Sequence, residues 1–184
     1  MRRFFAFALA ALLTLSAALP CFAEGEAGVP FERGTRWGMS REEVKALENL
    51  GEDANYSEYE EDVFSTLSVL DVEVSEYTAE LGYLFVRDEL LCINYQIIPP
   101  LDGADEPYEN LRSELSALYG EPSGDDESAF LRFLNDIAKQ MDQEEIDLAI
   151  ENAAVWHLAG DTDVVLSVIQ GMTSITYYNT AYDF

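Results

Sequence analysis

The chain is poor in the residues that most often do chemistry. It holds one histidine (His157), two cysteines (Cys21 and Cys92), and 10 Lys or Arg against 36 Asp or Glu. Each shortage excludes something. One histidine leaves no zinc centre of the two- or three-histidine kind, and permits a Ser-His-Asp triad only with His157 as its base. Two cysteines permit at most one internal disulfide. The scarcity of positive charge argues against nucleic acid and anionic membrane surfaces, because neutralising phosphate needs Lys and Arg. No Gly-x-Ser-x-Gly elbow, Walker loop or Gly-x-Gly-x-x-Gly fingerprint occurs.

The one long apolar run, Phe4 to Leu19, follows the short basic start Met1-Arg2-Arg3. It is shorter than the roughly 20 residues of a membrane span. Pro20 breaks it, and Cys21-Phe22-Ala23 places small residues at −3 and −1 of a cut before Glu24. Residues 1–23 are therefore expected to be a Sec-type signal peptide cleaved after Ala23. Arg2-Arg3 brushes against the twin-arginine signal, but so short a basic region favours ordinary export. Cys21 would be the lipidated residue of a lipoprotein. Pro20 stands where such signals carry a small residue, so the expected product is secreted or exterior to the cell envelope, without membrane insertion.

Cleavage changes the arithmetic. The mature chain keeps 8 basic and all 36 acidic residues, a net charge of −28, and Cys92 as its lone cysteine. An internal disulfide is then impossible. Cys92 lies in the apolar run Leu90-Leu91-Cys92-Ile93 and reads as a small buried hydrophobe.

Residues 24–35 read as a polar, flexible leader. Trp37-Gly38-Met39-Ser40-Arg41-Glu42-Glu43-Val44 follows. Ser40 and Glu43 stand as a capping box, with Met39 and Val44 at the positions of a hydrophobic staple. Val44, Leu47 and Leu50 continue the helical stripe and Gly51 is expected to stop it. After an acidic, Tyr-bearing stretch (Glu52 to Asp62) come three β-like runs: Val63–Val74, Ala79–Val86 and Leu90–Ile98. The second places Ala79, Leu81, Tyr83 and Phe85 on one face.

The order then repeats. Asp105 and Pro107 open a helix with the stripe Tyr108, Leu111, Leu115 and Leu118, ending at Gly120 with Pro122 beyond. A helical insertion is expected over about 128–153, carrying Phe130, Phe133, Leu134, Ile137 and Met141, then Ile146, Ala149 and Ile150. Strands follow at Val155–Ala159, Asp163–Ile169 and Thr173–Asn179, turning at Gly160-Asp161 and Gln170-Gly171. The fold class expected is α+β: two helix-plus-three-strand units (36–100 and 101–184) forming antiparallel sheet, with the helical insertion in the second. Aromatics alternating toward Phe184 suggest a membrane barrel, but a barrel needs eight or more spanning strands.

The segment Trp37 to Val44 resembles the opening of small bacterial envelope domains, among them the outer-membrane-assembly lipoproteins and the tandem-lobed β-lactamase inhibitor proteins. Leu118-Tyr119-Gly120-Glu121-Pro122, followed later by Trp156 on a strand, is similar to the same group and to secreted α/β proteins of Gram-positive bacteria. The resemblance covers the order of elements over most of the mature chain, and about a dozen specific positions. It departs in the insertion 128–153, in the lack of a fitting lipobox and in the acidity. What it implies is a binding scaffold, with no ligand identified.

His157 should face opposite Trp156 on an alternating strand, and so face solvent if Trp156 points inward. The acidic clusters Glu58-Tyr59-Glu60-Glu61-Asp62, Asp125-Asp126-Glu127 and Asp161-Thr162-Asp163 lack the Asp-x-Asp-x-Asp-Gly spacing of a Ca²⁺ loop. They read as solvated charge, and no cofactor is expected, Ca²⁺ being the one alternative. All ten tyrosines lie in the mature chain. Aromatics beside acids suit a protein-binding face, with Tyr83, Tyr95, Tyr177 and Tyr178 as its candidates. No catalytic residue is nominated. The functional expectation is an exported acidic, non-enzymatic binding or inhibitor-like module for a protein or peptide with a basic surface. The alternatives are a carboxylate-based hydrolase and a Ca²⁺-stabilised structural surface protein.

Overall fold

A computed structural model describes residues 33–51, 54–99, 107–123, 127–140 and 149–182. The expected signal peptide, most of the expected leader, Asp105, Asp125, Asp126, Met141 and Ile146 lie outside the described residues. The elements run α1 (Arg41–Leu47), β1 (Tyr56–Glu61), β2 (Phe64–Val74), β3 (Tyr77–Val86), β4 (Glu89–Ile97), α2 (Pro107–Tyr119), α3 (Glu127–Gln140), β5 (Ile150–Leu158), β6 (Thr162–Ile169) and β7 (Met172–Asn179). The seven strands form one sheet in the order β1-β2-β3-β4-β7-β6-β5. Every neighbouring pair is antiparallel. The expected α+β class, with helix before strands in each half and a helical insertion in the second, is the observed one. The halves meet where β4 pairs with β7, so one sheet runs without a break from the first half to the second.

Local chemistry explains the element ends. The Ser40 hydroxyl accepts from the Glu43 amide while the Glu43 carboxylate accepts from the Ser40 amide, closing the capping box at α1. Gly120 ends α2 at φ 86, and its amide donates to the Ser116 carbonyl. The hairpin turns Arg87-Asp88, Gly160-Asp161 and Gln170-Gly171 have positive φ at both residues, the geometry whose twist matches antiparallel strands.

Four local expectations need correcting. Tyr56–Glu61, expected as an acidic connecting stretch, is the edge strand β1. It has no buried side chain, and backbone pairing with β2 holds it. Charge on such an edge blocks further pairing. Ile150 to Ala153 belong to β5 rather than the helical insertion, because Ile150 pairs with Ile169. Helix α1 stops at Leu47, ahead of Gly51, and Asn49 takes the left-handed conformation at φ 53. In the last turn of α2, Leu118 is 72% exposed and Tyr119 packs inward instead.

Strand alternation sorts the apolar residues onto two faces. Leu67, Leu81, Tyr83, Phe85, Ile93, Trp156, Leu166 and Ile175 lie on the face covered by α1 through Val44 and by α2 through Tyr108, Leu111 and Leu115. The opposite face carries Cys92, Val155, Val165 and Tyr178 beneath Phe130, Phe133 and Ile137 of α3. Each fully buried aliphatic side chain contributes about 1.5–3 kcal/mol, so the α1–α2 side, with the larger set, is the main core. Trp37 Nε1 donates to Thr162 Oγ1 at 2.9 Å, and Gly38 and Met39 exchange backbone hydrogen bonds with Leu90. The entry to α1 thereby straps β4 to β6.

Candidate functional site

The four nominated tyrosines do not form one surface. Tyr83, Tyr95 and Tyr177 share the α1–α2 face, while Tyr178, one residue from Tyr177, is on the other. Tyr83, Tyr177 and Tyr178 are buried and Tyr95 is half-buried. The polar ends of Tyr83, Tyr177 and Tyr178 serve the interior. The Tyr83 hydroxyl donates to Glu48 Oε1 at 2.6 Å. Those of Tyr119 and Tyr177 meet at 3.3 Å, and the Tyr178 hydroxyl donates to Asp163 Oδ2 at 3.1 Å. The expected tyrosine binding face is thus core, because apolar strand neighbours draw these rings in.

Glu48 is the best-held acid on this side. Its side chain is only 3% exposed, yet Arg33 grips it through two hydrogen bonds, one of them Nε to Oε1 at 2.7 Å. Burial alone would push its carboxyl up. The bonds from Arg33 and Tyr83 outweigh that and hold it below the usual carboxylate range. Tyr83 moves the other way, because burial and the neighbouring carboxylate both disfavour phenolate.

On the opposite face, His157 lies across from buried Trp156 as expected, with its side chain 55% exposed. The sequence did not reveal its partner. Nδ1 lies 2.7 Å from Oδ1 of buried Asp163, whose other oxygen takes the Tyr178 hydroxyl. A signal did exist, since Asp163 is the residue directly opposite His157 across the three-residue β5–β6 turn. Asp163 orients the imidazole as a carboxylate orients a catalytic base. Among the described residues no serine or cysteine nucleophile is bonded to that ring, and the stacked Phe133–Tyr178 pair, centroids 4.3 Å apart, gives the network a structural setting. The buried Cys92 thiol is pushed up to about 12 by burial, which makes it inert at neutral pH.

The acidic clusters disperse. Glu58 pairs with Lys45 at 2.6 Å and Glu60 with Arg41 at 2.8 Å, while Glu61 accepts from the Tyr59 hydroxyl on the other face of β1. Among the described residues no group of three or more His, Cys, Asp or Glu is placed to hold a metal ion. A concavity of about 410 Å³ on the outer side of α2, lined by Glu109, Arg112, Ser113, Ser116, Ala117 and Glu121, is shallow and open.

One surface is distinctive. Helix α3 covers the second face over β5 to β7 and over the adjoining ends of β3 and β4 at Val86, Leu91 and Cys92, with Leu84 packed at its border, while the rest of that face over β2, β3 and β4 is solvent-accessible. There β2 presents Thr66, Ser68 and Leu70, β3 presents Thr78, Glu80, Gly82 and Leu84, and β4 presents Asn94, Gln96 and Ile98. Glu80 is the only charged residue of those ten, and Glu73 of β2, paired directly opposite Thr78, stands on the same face at its end. Exposed Met172 of β7 extends the surface, with its sulfur 3.1 Å from Gln96 Nε2. Tyr59 of β1 extends it on the other side and is more than half exposed. Thr176 Oγ1 donates to Asn94 Oδ1 at 3.0 Å, which leaves the Asn94 amide hydrogens available to a neighbour. For a chain with 36 acids this area is almost free of charge. Acids stand at its margins instead: Glu61 on β1 and Glu73 near the β2–β3 turn are both exposed.

Comparison with known family profiles, with curated protein sequences and with solved structures yields no match. The class that can be stated is therefore structural: an α+β protein with a seven-stranded antiparallel sheet, helix-covered on one face and half-covered on the other.

Proposed function

We propose that the chain is the precursor of an exported, acidic, non-enzymatic binding module of the bacterial envelope or exterior, and that its half-covered sheet face receives a protein or peptide with a basic surface. The observation that carries this reading is the charge-poor face over β2–β4 on a chain whose composition is otherwise strongly acidic. Interface centres are depleted in charge and rimmed by polar groups. An acidic surround steers a basic partner toward such a centre and sets orientation more than affinity. The signal-like residues 1–23 and the net charge of the remainder support the exported, acidic half of the reading.

The test begins with the chain produced with its own leader and purified in the form the host releases. Immobilised, it is offered arrayed peptides that differ only in the charge of their flanking residues. Saturable binding of Lys- or Arg-flanked sequences that weakens with added salt supports the proposal. Equal binding of Glu-flanked sequences, or none at all, defeats it. Mass measurement of the released form checks cleavage after Ala23 in the same preparation.

A further inference from the structure

Gly82 lies in the middle of β3, the third of seven strands, at the centre of the charge-poor face. Glycine in a strand interior weakens the strand and ordinarily marks a bulge, a special backbone angle or the close approach of another group. The first two do not apply. Gly82 pairs regularly with Ser68 on one side and Asn94 on the other, and the irregularities in these ladders fall elsewhere, at Val69/Val72 and Leu84/Phe85. Its φ is not positive. Nor do the described residues crowd it, since among them a Cβ at this position meets nothing nearer than the Asn94 carbonyl oxygen at 3.8 Å. The remaining cause is the close approach of a group from outside the described residues.

We infer that Gly82 is a docking notch, in which an uncharged aromatic or aliphatic side chain of a basic protein or peptide rests directly on the β3 backbone. This rests on the function proposed above and specifies its point of contact. The notch has a bare glycine as its floor, the small Ser68 on one side, and Asn94, with its amide hydrogens available, on the other. Leu84 supplies apolar surface two residues along the same strand face. Glu80 stands two residues the other way, about 6.6 Å at the usual strand rise, where it meets a Lys or Arg flanking the inserted side chain. Charge complementarity thus selects the occupant. An uncharged centre with a carboxylate beside it, and further acids at its margins, favours a basic partner over a second copy of this acidic chain.

The experiment compares wild type with Gly82→Val and Glu80→Gln. The probes are twelve-residue peptides bearing a central Trp, Leu or Ala between Lys/Arg flanks or between Ser flanks. The Trp- and Leu-centred basic peptides bind wild type best. Gly82→Val melts at the same or a higher temperature, because its side chain has room, and weakens that binding about tenfold or more, as loss of a central contact does. Glu80→Gln reduces the preference for basic flanks and spares the preference for Trp or Leu. Unchanged binding to Gly82→Val overturns the inference, as does a lowered melting temperature, which would make Gly82 a requirement of the fold. If Ala-centred basic peptides bind equally well and ignore Gly82, the notch fails while the broader function stands. If no basic peptide binds, both fail. A wild-type dimer in sedimentation that Gly82→Val dissociates assigns the face to self-association and overturns the inference.

Discussion

At the scale of single residues, tertiary context separates acids that were alike in the sequence. Glu48 and Asp163 are drawn into hydrogen-bonded networks with tyrosine, while Glu42 and Glu61 stay in solvent. A lowered carboxylate pKa adds stability that is present above the unfolded value and is lost as pH falls through the folded value. Glu48→Ala is therefore expected to cost about 1–3 kcal/mol at neutral pH, the range for a charge-assisted hydrogen-bond set. The deficit relative to wild type should shrink as the pH drops below about 4, where both forms have lost the carboxylate's contribution. Denaturant melts of both proteins across that range provide the check. A constant deficit would mean that packing, not ionisation, explains the loss. The opposite facing of Tyr177 and Tyr178 was legible from strand alternation alone. Their burial was not, because it depends on α2 and α3 arriving over the two faces.

Among the elements, those with a local cause were the most readable. The capping box at Ser40, the exit of α2 at Gly120 and the turns at Gly160-Asp161 and Gln170-Gly171 stand where residue types put them. Gly120 has φ 86, and among the described residues a Cβ added there would meet nothing within 4 Å. Replacing it by Ala should therefore cost about 1 kcal/mol from backbone conformation alone. The Trp156 indole donates to the Gly120 carbonyl at 2.9 Å, a bond to backbone that the substitution leaves in place. A melt of Gly120→Ala with unchanged Trp fluorescence in the folded state is the expected pair of results. Strand β1 escaped sequence reading because Tyr56–Glu61 lacks any apolar face, and only the free edge of β2 makes it a strand. Ile150 escaped for a related reason: its helical spacing from Ile146 carried less weight in the fold than its pairing with Ile169.

For the molecule as a whole, the acidity has a measurable consequence. A chain with 10 basic and 36 acidic residues repels itself when compact, and its described ion pairs engage only a few of those acids. Raising salt from about 0.01 M to about 1 M shortens the screening length severalfold, so the melting temperature should rise. The same salt should weaken binding to basic peptides. The two measurements moving in opposite directions would separate self-repulsion from partner attraction. A melting temperature that falls on adding salt would show that the favourable ion pairs, such as Arg33–Glu48, outweigh the repulsion.

What the sequence determined by itself was composition-borne or local: the net charge, the scarcity of cysteine, helix starts, turn positions, and the alternation that sends Trp156 inward and His157 outward. These depend on residues a few positions apart, or on counts. Tertiary structure alone decided that the two halves share one sheet through β4 and β7, and that α3 covers only part of the second face. It also decided that Gly82 sits bare at the centre of an almost uncharged surface. Each of these joins segments far apart in the chain, and such pairings follow from which faces find cover, a property no short stretch of sequence carries.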